Sequence, residues 1–407
     1  MQKPANVAGE LWGGVSAMLV ALPSAIAFGV TIYAPLGADY AAQGAVAGIL
    51  GAMALGLVAP VLGGTNRLIS APCAPAAAVL SALALDLTRG GASAPSAALM
   101  LSIVALMTAL LQVTFGAVGL GRLIKYMPYP VVSGYLSGVG LLIILAQLPK
   151  LLGAPRGTHL WAALGEPSLW QWRGITVGVV TIAVMIVGPR VTKRVPATIL
   201  GLLAGIASYF ALALTDRSLL TLAGNAALVG PLVSGSGANG GFFASIASRA
   251  GAVSTLTMPQ LSALLAPALS LAVLLSIDTL KTCVVVDAIT RSRHNSNREL
   301  VGQGLANFTS TLVGGVPGAG TMGATLVNIS SGAQTRLSGT VEGVAALAAF
   351  LVLGPLLAWI PISALAGVLI VVGARMFDTH SLALVKSRST ILDFVVIVSV
   401  VAVAETV

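Results

Sequence analysis

An acid and a hydroxyl in the apolar segment 261–289 are placed to bind a cation. Asp278 lies well inside this segment, where a carboxylate is costly unless it is paired, solvated or protonated. Thr282 follows four residues later, so its hydroxyl lies on the same helical face. Such a pair could coordinate Na⁺ through oxygen ligands, or desolvation could let Asp278 hold a proton. The structural alternative is an ion pair between Asp278 and Lys281, three residues away.

Two stretches broken by Gly and Pro are each followed by too few apolar residues to cross a bilayer. They read GGTNRLISAPCAPAAAVL over 63–80 and GGVPGAGTMGATLVNISS over 314–331. A membrane-spanning helix needs about 20 residues, and irregular backbone inside a membrane is tolerated only where it is buried in protein or lines a polar cavity. The pattern therefore predicts two half-helices, over 72–87 and 320–331, that mark a cavity.

The two half-helices together predict an anion site. Interrupted segments at corresponding places in two halves of a chain are typical of the substrate sites of secondary transporters. If both N-termini point at one place, each offers unpaired N–H groups and roughly half a positive charge to an anion. The expected ligand is therefore a small anion.

The first apolar segment adds two candidate ligand contacts. In LVALPSAIAFGV, Pro23 kinks the helix and frees a carbonyl, while Ser24 and Phe28 share a helical face. Ser24 could hydrogen-bond a ligand, and Phe28 could present the positive edge of its ring. Helix packing through small residues is the alternative explanation of this segment.

Other motifs in the sequence are weak. GAGTMG over 318–323 matches GxGxxG, and Glu342 follows about 20 residues later, as a dinucleotide fingerprint requires. No βαβ unit is predicted around this match, so we set it aside. The histidines His159, His294 and His380 show no ligand spacing, and no nucleophile–base arrangement is visible. We expect neither an enzyme nor a metal site.

The composition indicates an integral membrane protein. Of 407 residues, 57% are hydrophobic and 8% are charged, whereas soluble domains contain about 25% charged residues. The net charge is +9, but the basic residues fall in short clusters between apolar runs, which fits membrane topology better than nucleic-acid binding. The cysteines, Cys73 and Cys283, support neither a disulfide framework nor a zinc site.

The predicted fold is an all-α membrane protein with fourteen transmembrane segments as a 7+7 inverted repeat. The first repeat covers 1–214, a polar and partly interfacial connector covers 215–260, and the second repeat covers 261–407. The Lys/Arg bias places both termini in the cytoplasm. The segments are 11–30, 40–62, 72–87 (half), 96–117, 128–148, 174–188, 195–214, 261–289, 299–314, 320–331 (half), 338–353, 356–374, 379–388 and 390–404.

Three stretches resemble the SulP (sulfate permease-like) family of anion transporters. The longest is DAITRSRHNSNRELVGQGLANFTSTLVGGVPGAGTMGATLVNISSGAQTRLSG over 287–339, which is similar to the signature of that family. ALPSAIAFG near the start and GGTNRLISAP over 63–72 resemble the first and third family segments. The similarity covers essentially the whole chain.

The resemblance implies an elevator mechanism and a set of site residues. A core domain (segments 1–4 and 8–11) would move against a gate domain (segments 5–7 and 12–14), with the ligand between the half-helices in segments 3 and 10. Asp278 and Thr282 would bind the coupling ion. By position, the implied substrate contacts are Ser24, Phe28, Cys73, Ala74, Thr321, Met322, Gly323 and Ala324.

The chain also departs from the family pattern. Many relatives have Gln where Ser24 stands and Arg where Ala324 stands, and several have Glu at the position of Asp278. Without a fixed charge at 324, the helix termini are the main attractors for an anion, and a co-bound cation would help a multiply charged one. We therefore expect proton- or sodium-coupled symport of a dicarboxylate, bicarbonate or inorganic oxyanion. The alternatives are a nucleobase-type proton symporter on the same fold, or an uncoupled anion exchanger or channel.

The expected partners and location follow from the same resemblance. Family members usually carry a cytoplasmic STAS domain after the last span, and this sequence stops before one, so we expect the membrane part alone. A homodimer through the missing STAS domain or the gate is possible. No cofactor is expected apart from H⁺ or Na⁺ as coupling ion, and no nucleic acid. The expected location is the bacterial cytoplasmic (inner) membrane, in contact with lipid.

Overall fold

The computed structural model describes residues 7–376 except 38–39, 127–128, 156–157, 159, 193–194, 223–224 and 231–257. The last two predicted segments, 379–388 and 390–404, lie outside the described residues, as does most of the connector. Each of the other twelve predicted segments overlaps a helix.

The described chain is mainly helical and contains two short strands. The helices are α1 Val7–Tyr33, α2 Tyr40–Leu62, α3 Ala74–Arg89, α4 Ala94–Val118, α5 Tyr129–Leu151, α6 Leu160–Gly165, α7 Trp172–Val191, α8 Ala197–Ala213, α9 Met258–Thr290, α10 Ser296–Leu312, α11 Met322–Ser330, α12 Leu337–Leu357 and α13 Ile362–Met376. The strands are β1 Ser70–Pro72 and β2 Gly318–Gly320.

Six of the described helices are long and apolar enough to cross a membrane: α1, α2, α4, α7, α9 and α12. Shorter apolar helical stretches cover 137–151, 197–213 and 362–376. Large hydrophobic side chains such as Leu351 and Val352 are more than two-thirds exposed, as is expected of helices that face lipid. The complete fourteen-span inverted repeat stays a prediction.

The helix ends have local causes, and one predicted end is misplaced. Ser93 caps α4 by accepting a hydrogen bond from the Ser96 N–H, and α4 ends before Gly119, which adopts the left-handed conformation.

The predicted boundary between the segments 338–353 and 356–374 lies near Pro355. α12 instead continues through Pro355 to Leu357, and α13 begins after Pro361.

The chain forms two compact units. The first covers 1–122 and 229–359 with a small piece of the connector, and it contains α1–α4, α9–α12 and both strands. Within it, α2 packs against α1, α10 and α12, while α4 packs against α9 and α10.

Among the described residues, the second unit is mainly 123–221 and 360–376, in which α13 packs on α5, α7 and α8. Met185, Val368 and Val371 are buried together there. The core and gate domains stay a prediction, because the compactness of each unit says nothing about its movement.

Candidate functional site

The two strands form an antiparallel ladder inside the first unit. Ser70 lies opposite Gly320, and Pro72 lies opposite Gly318. All six strand residues are buried. α3 begins just after β1, and α11 begins just after β2. Because the strands are antiparallel, the two helices leave opposite ends of the ladder in opposite directions.

Both helices that leave the ladder are short. α3 has 16 residues and α11 has 9, which correspond to about 24 and 14 Å at 1.5 Å per residue. The hydrocarbon core of a bilayer is about 30 Å thick. The two helices coincide with the predicted half-helices, and each begins just after a buried strand.

A polar face of α10 holds the ladder in place. The Asn307 amide donates to the Gly318 carbonyl (3.0 Å) and accepts from the Gly318 N–H (2.8 Å). The Gln303 amide donates to the Ser70 hydroxyl (2.6 Å). Asn307 also donates to Gln112 of α4 (2.7 Å). These side chains supply the hydrogen bonds that a two-stranded ladder inside an apolar unit cannot obtain from water.

Two threonines of α9 fix the end of β2. The Gly320 N–H donates to the Thr279 hydroxyl (3.0 Å), and the Thr282 hydroxyl lies 3.0 Å from the Gly320 carbonyl. The same Thr282 hydroxyl lies 2.9 Å from the Asp278 carbonyl, so its single proton is shared between two backbone acceptors. Both threonine side chains are buried. The last strand residue before α11 is thus held on both its N–H and its carbonyl.

The N-terminus of α11 is open. The first hydrogen bond into the helix runs from the Thr325 N–H to the Thr321 carbonyl (3.1 Å), so the N–H groups of Met322, Gly323 and Ala324 have no acceptor within the helix. Thr321 makes no side-chain capping bond. Gly323 is exposed, and a methyl group added there would meet nothing within 4 Å. This turn combines unpaired donors with space for a ligand.

The other residues predicted around α11 and α3 are buried. Ala324 packs in an apolar cluster with Ala17, Ala21, Ile69 and Ala71. Cys73 and Ala74 at the start of α3 are 3% and 6% exposed, and Pro75 follows them in the first turn. Proline has no N–H group, so this turn offers fewer donors than the first turn of α11.

The predicted contacts on α1 lie on a helix that packs against both short helices. α1 contacts α3, α11 and β1. Phe28 is 4% exposed. Ser24 is half-buried, and its hydroxyl makes no hydrogen bond with any residue that the structure describes. Ser24 therefore keeps a hydroxyl that a ligand could use.

Asp278 forms the ion pair that was the structural alternative. The Lys281 ammonium lies 2.9 Å from Asp278 Oδ1, and the two side chains are 22% and 13% exposed. The second carboxylate oxygen has no recorded partner within the described residues. The hydroxyl of Thr282 keeps oxygen lone pairs for a cation, although its proton is committed to backbone. Among the described residues, no group of three or more His, Cys, Asp or Glu side chains is placed to hold a metal.

The Asp287 carboxylate lies at the C-terminal end of α9. It accepts from the His294 backbone N–H (2.9 Å) and the Ser292 hydroxyl (2.9 Å), and it lies 2.7 Å from His294 Nδ1. Asp287 therefore closes the turn between α9 and α10.

Sequence reasoning missed the polar residues that position the ladder. Segment 299–314 was treated as an apolar span, yet Glu299, Gln303 and Asn307 recur every four residues on one face of α10. Polar side chains at that spacing within an otherwise apolar helix would have indicated a buried polar seam. Thr279 carries no comparable signal, since a single threonine in an apolar helix is common.

Comparison with known proteins places this architecture in a family. The model of the sulfate permease family matches residues 7–400. The bicarbonate transporter BicA of Picosynechococcus sp. is 34% identical over 384 residues, which cover 92% of this chain and 62% of the relative. The putative sulfate transporter YvdB of Bacillus subtilis is 27% identical over 292 residues, which cover 70% of this chain and 52% of the relative. The chain thus spans less than two-thirds of the length of these relatives.

Solved structures show the same fold. The transmembrane domain of a cyanobacterial bicarbonate transporter BicA superposes with a TM-score of 0.78 at 32% identity, covering 98% of this chain and 96% of that domain. SLC26A9 superposes with a TM-score of 0.73 at 17% identity, covering 96% of this chain and 61% of that protein; at this identity the likeness concerns the fold alone. The relatives named above are transporters and not enzymes. Because the family model matches nearly the whole chain, this chain belongs to the sulfate permease family.

Proposed function

We propose that this chain is a secondary active transporter of a small anion, with the N-terminus of α11 as the anion's main anchor. The observation that carries the proposal is the open first turn of α11, where three N–H groups lack a helical acceptor beside the exposed Gly323. A helix N-terminus contributes about half a positive charge. Within an apolar unit, these donors would replace part of the hydration shell of an anion.

Bicarbonate is the substrate that we favour among the dicarboxylates, bicarbonate and inorganic oxyanions. Two relatives named bicarbonate transporters, from Picosynechococcus sp. and Synechocystis sp., are each 34% identical over 92% of the chain. The described site has no arginine at 324, and a singly charged anion needs less positive charge than sulfate. Sulfate is the second candidate, because more distant relatives are named putative sulfate transporters.

We further propose that the substrate is accompanied by a cation at Asp278. The Lys281 ammonium occupies one oxygen of this carboxylate, and the other oxygen, together with the Thr282 hydroxyl, would form part of a Na⁺ site. A cation there would add positive charge beside the ladder and strengthen anion binding at α11. Proton coupling is the alternative, and it would require Asp278 to leave Lys281.

Alternating access would move the first unit, as core, against the second, as gate. This elevator motion, the cytoplasmic position of both termini and the bacterial inner membrane as location are parts of the same proposal. One observation supports the role of the first unit as core. This unit contains the ladder, both short helices and the α9 side chains that hold them. The site could therefore move as one body.

Uptake by proteoliposomes tests the proposal. We expect labelled bicarbonate to accumulate when an inward Na⁺ gradient is imposed, and unlabelled bicarbonate to compete better than sulfate, succinate or uracil. Uptake driven by a pH gradient without Na⁺ would show proton coupling instead. Uracil competition would indicate the nucleobase-type alternative, and ion conductance far above carrier rates in planar bilayers would indicate a channel. Absence of anion uptake under every gradient contradicts the proposal.

The substitution Asp278→Asn tests the coupling site. We expect it to abolish gradient-driven accumulation while anion exchange at equilibrium continues, because the anion anchor on α11 is unchanged. Lys281→Met is the matched variant: it frees the carboxylate, so Na⁺ affinity should rise or stay the same. Full gradient-driven uptake by Asp278→Asn would remove this residue from the coupling mechanism.

A further inference from the structure

Glu342 on α12 is a buried carboxyl group without a hydrogen-bond partner. Its side chain is 0% exposed, and neither Oε1 nor Oε2 accepts a hydrogen bond from any residue in the described part of the chain. Buried polar atoms are nearly always hydrogen-bonded, so each exception needs a physical explanation. The proposed transport site makes no use of Glu342.

Two other glutamates in the same unit are equally buried, and both have N–H donors. Glu10 is 0% exposed and accepts three backbone N–H bonds of 2.9, 2.9 and 3.1 Å. Glu299 is 2% exposed and accepts a backbone N–H at 2.7 Å and a side-chain amide at 3.0 Å. The described part of the unit thus provides N–H donors for these two buried carboxyl groups and provides none for Glu342.

The carboxyl group of Glu342 lies in a recess made by glycine. A Cβ atom on Gly56 of α2 would overlap Glu342 Oε2, so only glycine leaves room for the carboxyl group at this point. On the other helix, a Cβ atom on Gly343 would lie 2.6 Å from the Leu57 backbone nitrogen. The backbones of α2 and α12 therefore approach closely around the acid, and no space remains for a hydration shell.

Within the part of the chain that the structure describes, no cationic side chain is placed to neutralise a carboxylate at 342. α12 packs against α1 and α2, and within these two helices the charged or titratable side chains are Glu10, Tyr33 and Tyr40. Arg336, which precedes α12, donates to the Asn66 side chain and the Val61 carbonyl. The described chain contains no ion pair that involves Glu342.

We propose that Glu342 is a proton-binding site, occupied at neutral pH, so that an un-ionised carboxylic acid lies between α2 and α12. An unpaired carboxylate in an apolar interior is far costlier than the neutral acid, and a group in this position takes up a proton from water instead. Asp278 differs in its surroundings, because the Lys281 ammonium lies 2.9 Å from one of its carboxylate oxygens. This inference does not depend on the proposed function.

Infrared spectroscopy of the purified full chain in a detergent without ester or carboxyl groups tests the proposal. The C=O stretch of an un-ionised carboxylic acid is separate from the bands of carboxylates and of backbone amides. We expect the wild type to show this band at neutral pH, Glu342→Gln to lose it, and the control Asp278→Asn to retain it. Absence of the band in the wild type, or its survival in Glu342→Gln, would overturn the proposal.

A second measurement needs no substitution and so applies even if Glu342→Gln does not fold. In protein labelled with ¹³C at the glutamate carboxyl carbon, one resonance of the wild type should stay at the un-ionised chemical shift at neutral pH. If every glutamate resonance has the carboxylate shift at neutral pH, Glu342 holds no proton and the proposal fails.

Discussion

The first turns of α3 and α11 follow matching strands of one ladder, yet they differ in what they offer a ligand. At α11, three N–H groups lack a helical acceptor and Gly323 borders open space. At α3, Cys73 and Ala74 are buried and Pro75 removes one donor. The pair is therefore unequal: α11 is the better placed to contact the proposed anion, whereas α3 would contribute mainly the field of its dipole.

The strands that precede the two helices differ in the same way. β2 is held through its backbone, by Asn307 on Gly318 and by Thr279 and Thr282 on Gly320. β1 is held mainly through one side chain, by the bond between Gln303 and Ser70. The strand that leads to the open helix is thus the more firmly anchored, which suits a helix that must keep its donors aimed at a ligand.

Filling the open turn should have the largest effect. We expect Gly323→Leu to lower anion uptake about a hundredfold, which corresponds to about 2.7 kcal/mol of lost binding. Its stability should not fall, because a Cβ atom at this position meets no neighbour within 4 Å and leucine favours helix more than glycine does. The matched variant on α3 is Ala76→Leu, which should lower stability by about 1–3 kcal/mol because Ala76 is buried.

Uptake rates and thermal unfolding of both variants measure this contrast. Wild-type uptake by a folded Gly323→Leu protein would show that the anion does not bind at the first turn of α11. A stable Ala76→Leu protein would show that the first turn of α3 is less closely packed than its burial indicates.

Removing the anchors of the two strands should have the next largest effect. Asn307→Leu leaves both backbone groups of Gly318 without their partner, so we expect a loss of about 2.5 kcal/mol of stability. Gln303→Leu removes one donor from Ser70 and one from Glu299, and should cost about 1–2 kcal/mol. Denaturant titration of both variants in detergent gives the two values. Equal losses would contradict the stronger anchoring of β2.

The variants of the two threonines of α9 should show the smallest difference in stability. Thr279→Val leaves the buried Gly320 N–H without an acceptor, which costs about 1–3 kcal/mol. Thr282→Val removes a donor from the Gly320 carbonyl and should cost about 0.5–1.5 kcal/mol. Thermal unfolding compares them, with Thr282→Ser as a control that keeps the hydroxyl. A greater loss of stability for Thr282→Val than for Thr279→Val would show that the Thr282 contact, and not the Thr279 contact, contributes more to stability.

The sequence predicts the half-helices well because their signals are local. Gly, Pro and length place them at 72–87 and 320–331, and α3 and α11 begin two residues later in each case. The same signals fail near Pro355, since an apolar helix in a membrane can continue through proline when neighbouring groups satisfy the backbone. There the true break lies at 358–361.

The arrangement around the ladder could not be predicted in this way. The pairing of Ser70 with Gly320 and the bonds from Asn307 to Gly318 join residues from different parts of the chain, and no local pattern encodes them. The ion pair between Asp278 and Lys281 was foreseen as an alternative, because three-residue spacing within a helix is a local property. The protonation of Glu342 depends on Gly56 of another helix and has no local signal.

The ladder also determines when the site can exist. Its two strands lie about 250 positions apart along the chain, and pairing over such a separation forms late in folding. During synthesis, β1 must therefore wait in or beside the membrane until most of the polypeptide has left the ribosome. Nascent chains arrested before residue 318 should have no anion site, which makes ligand binding a reporter of completed folding.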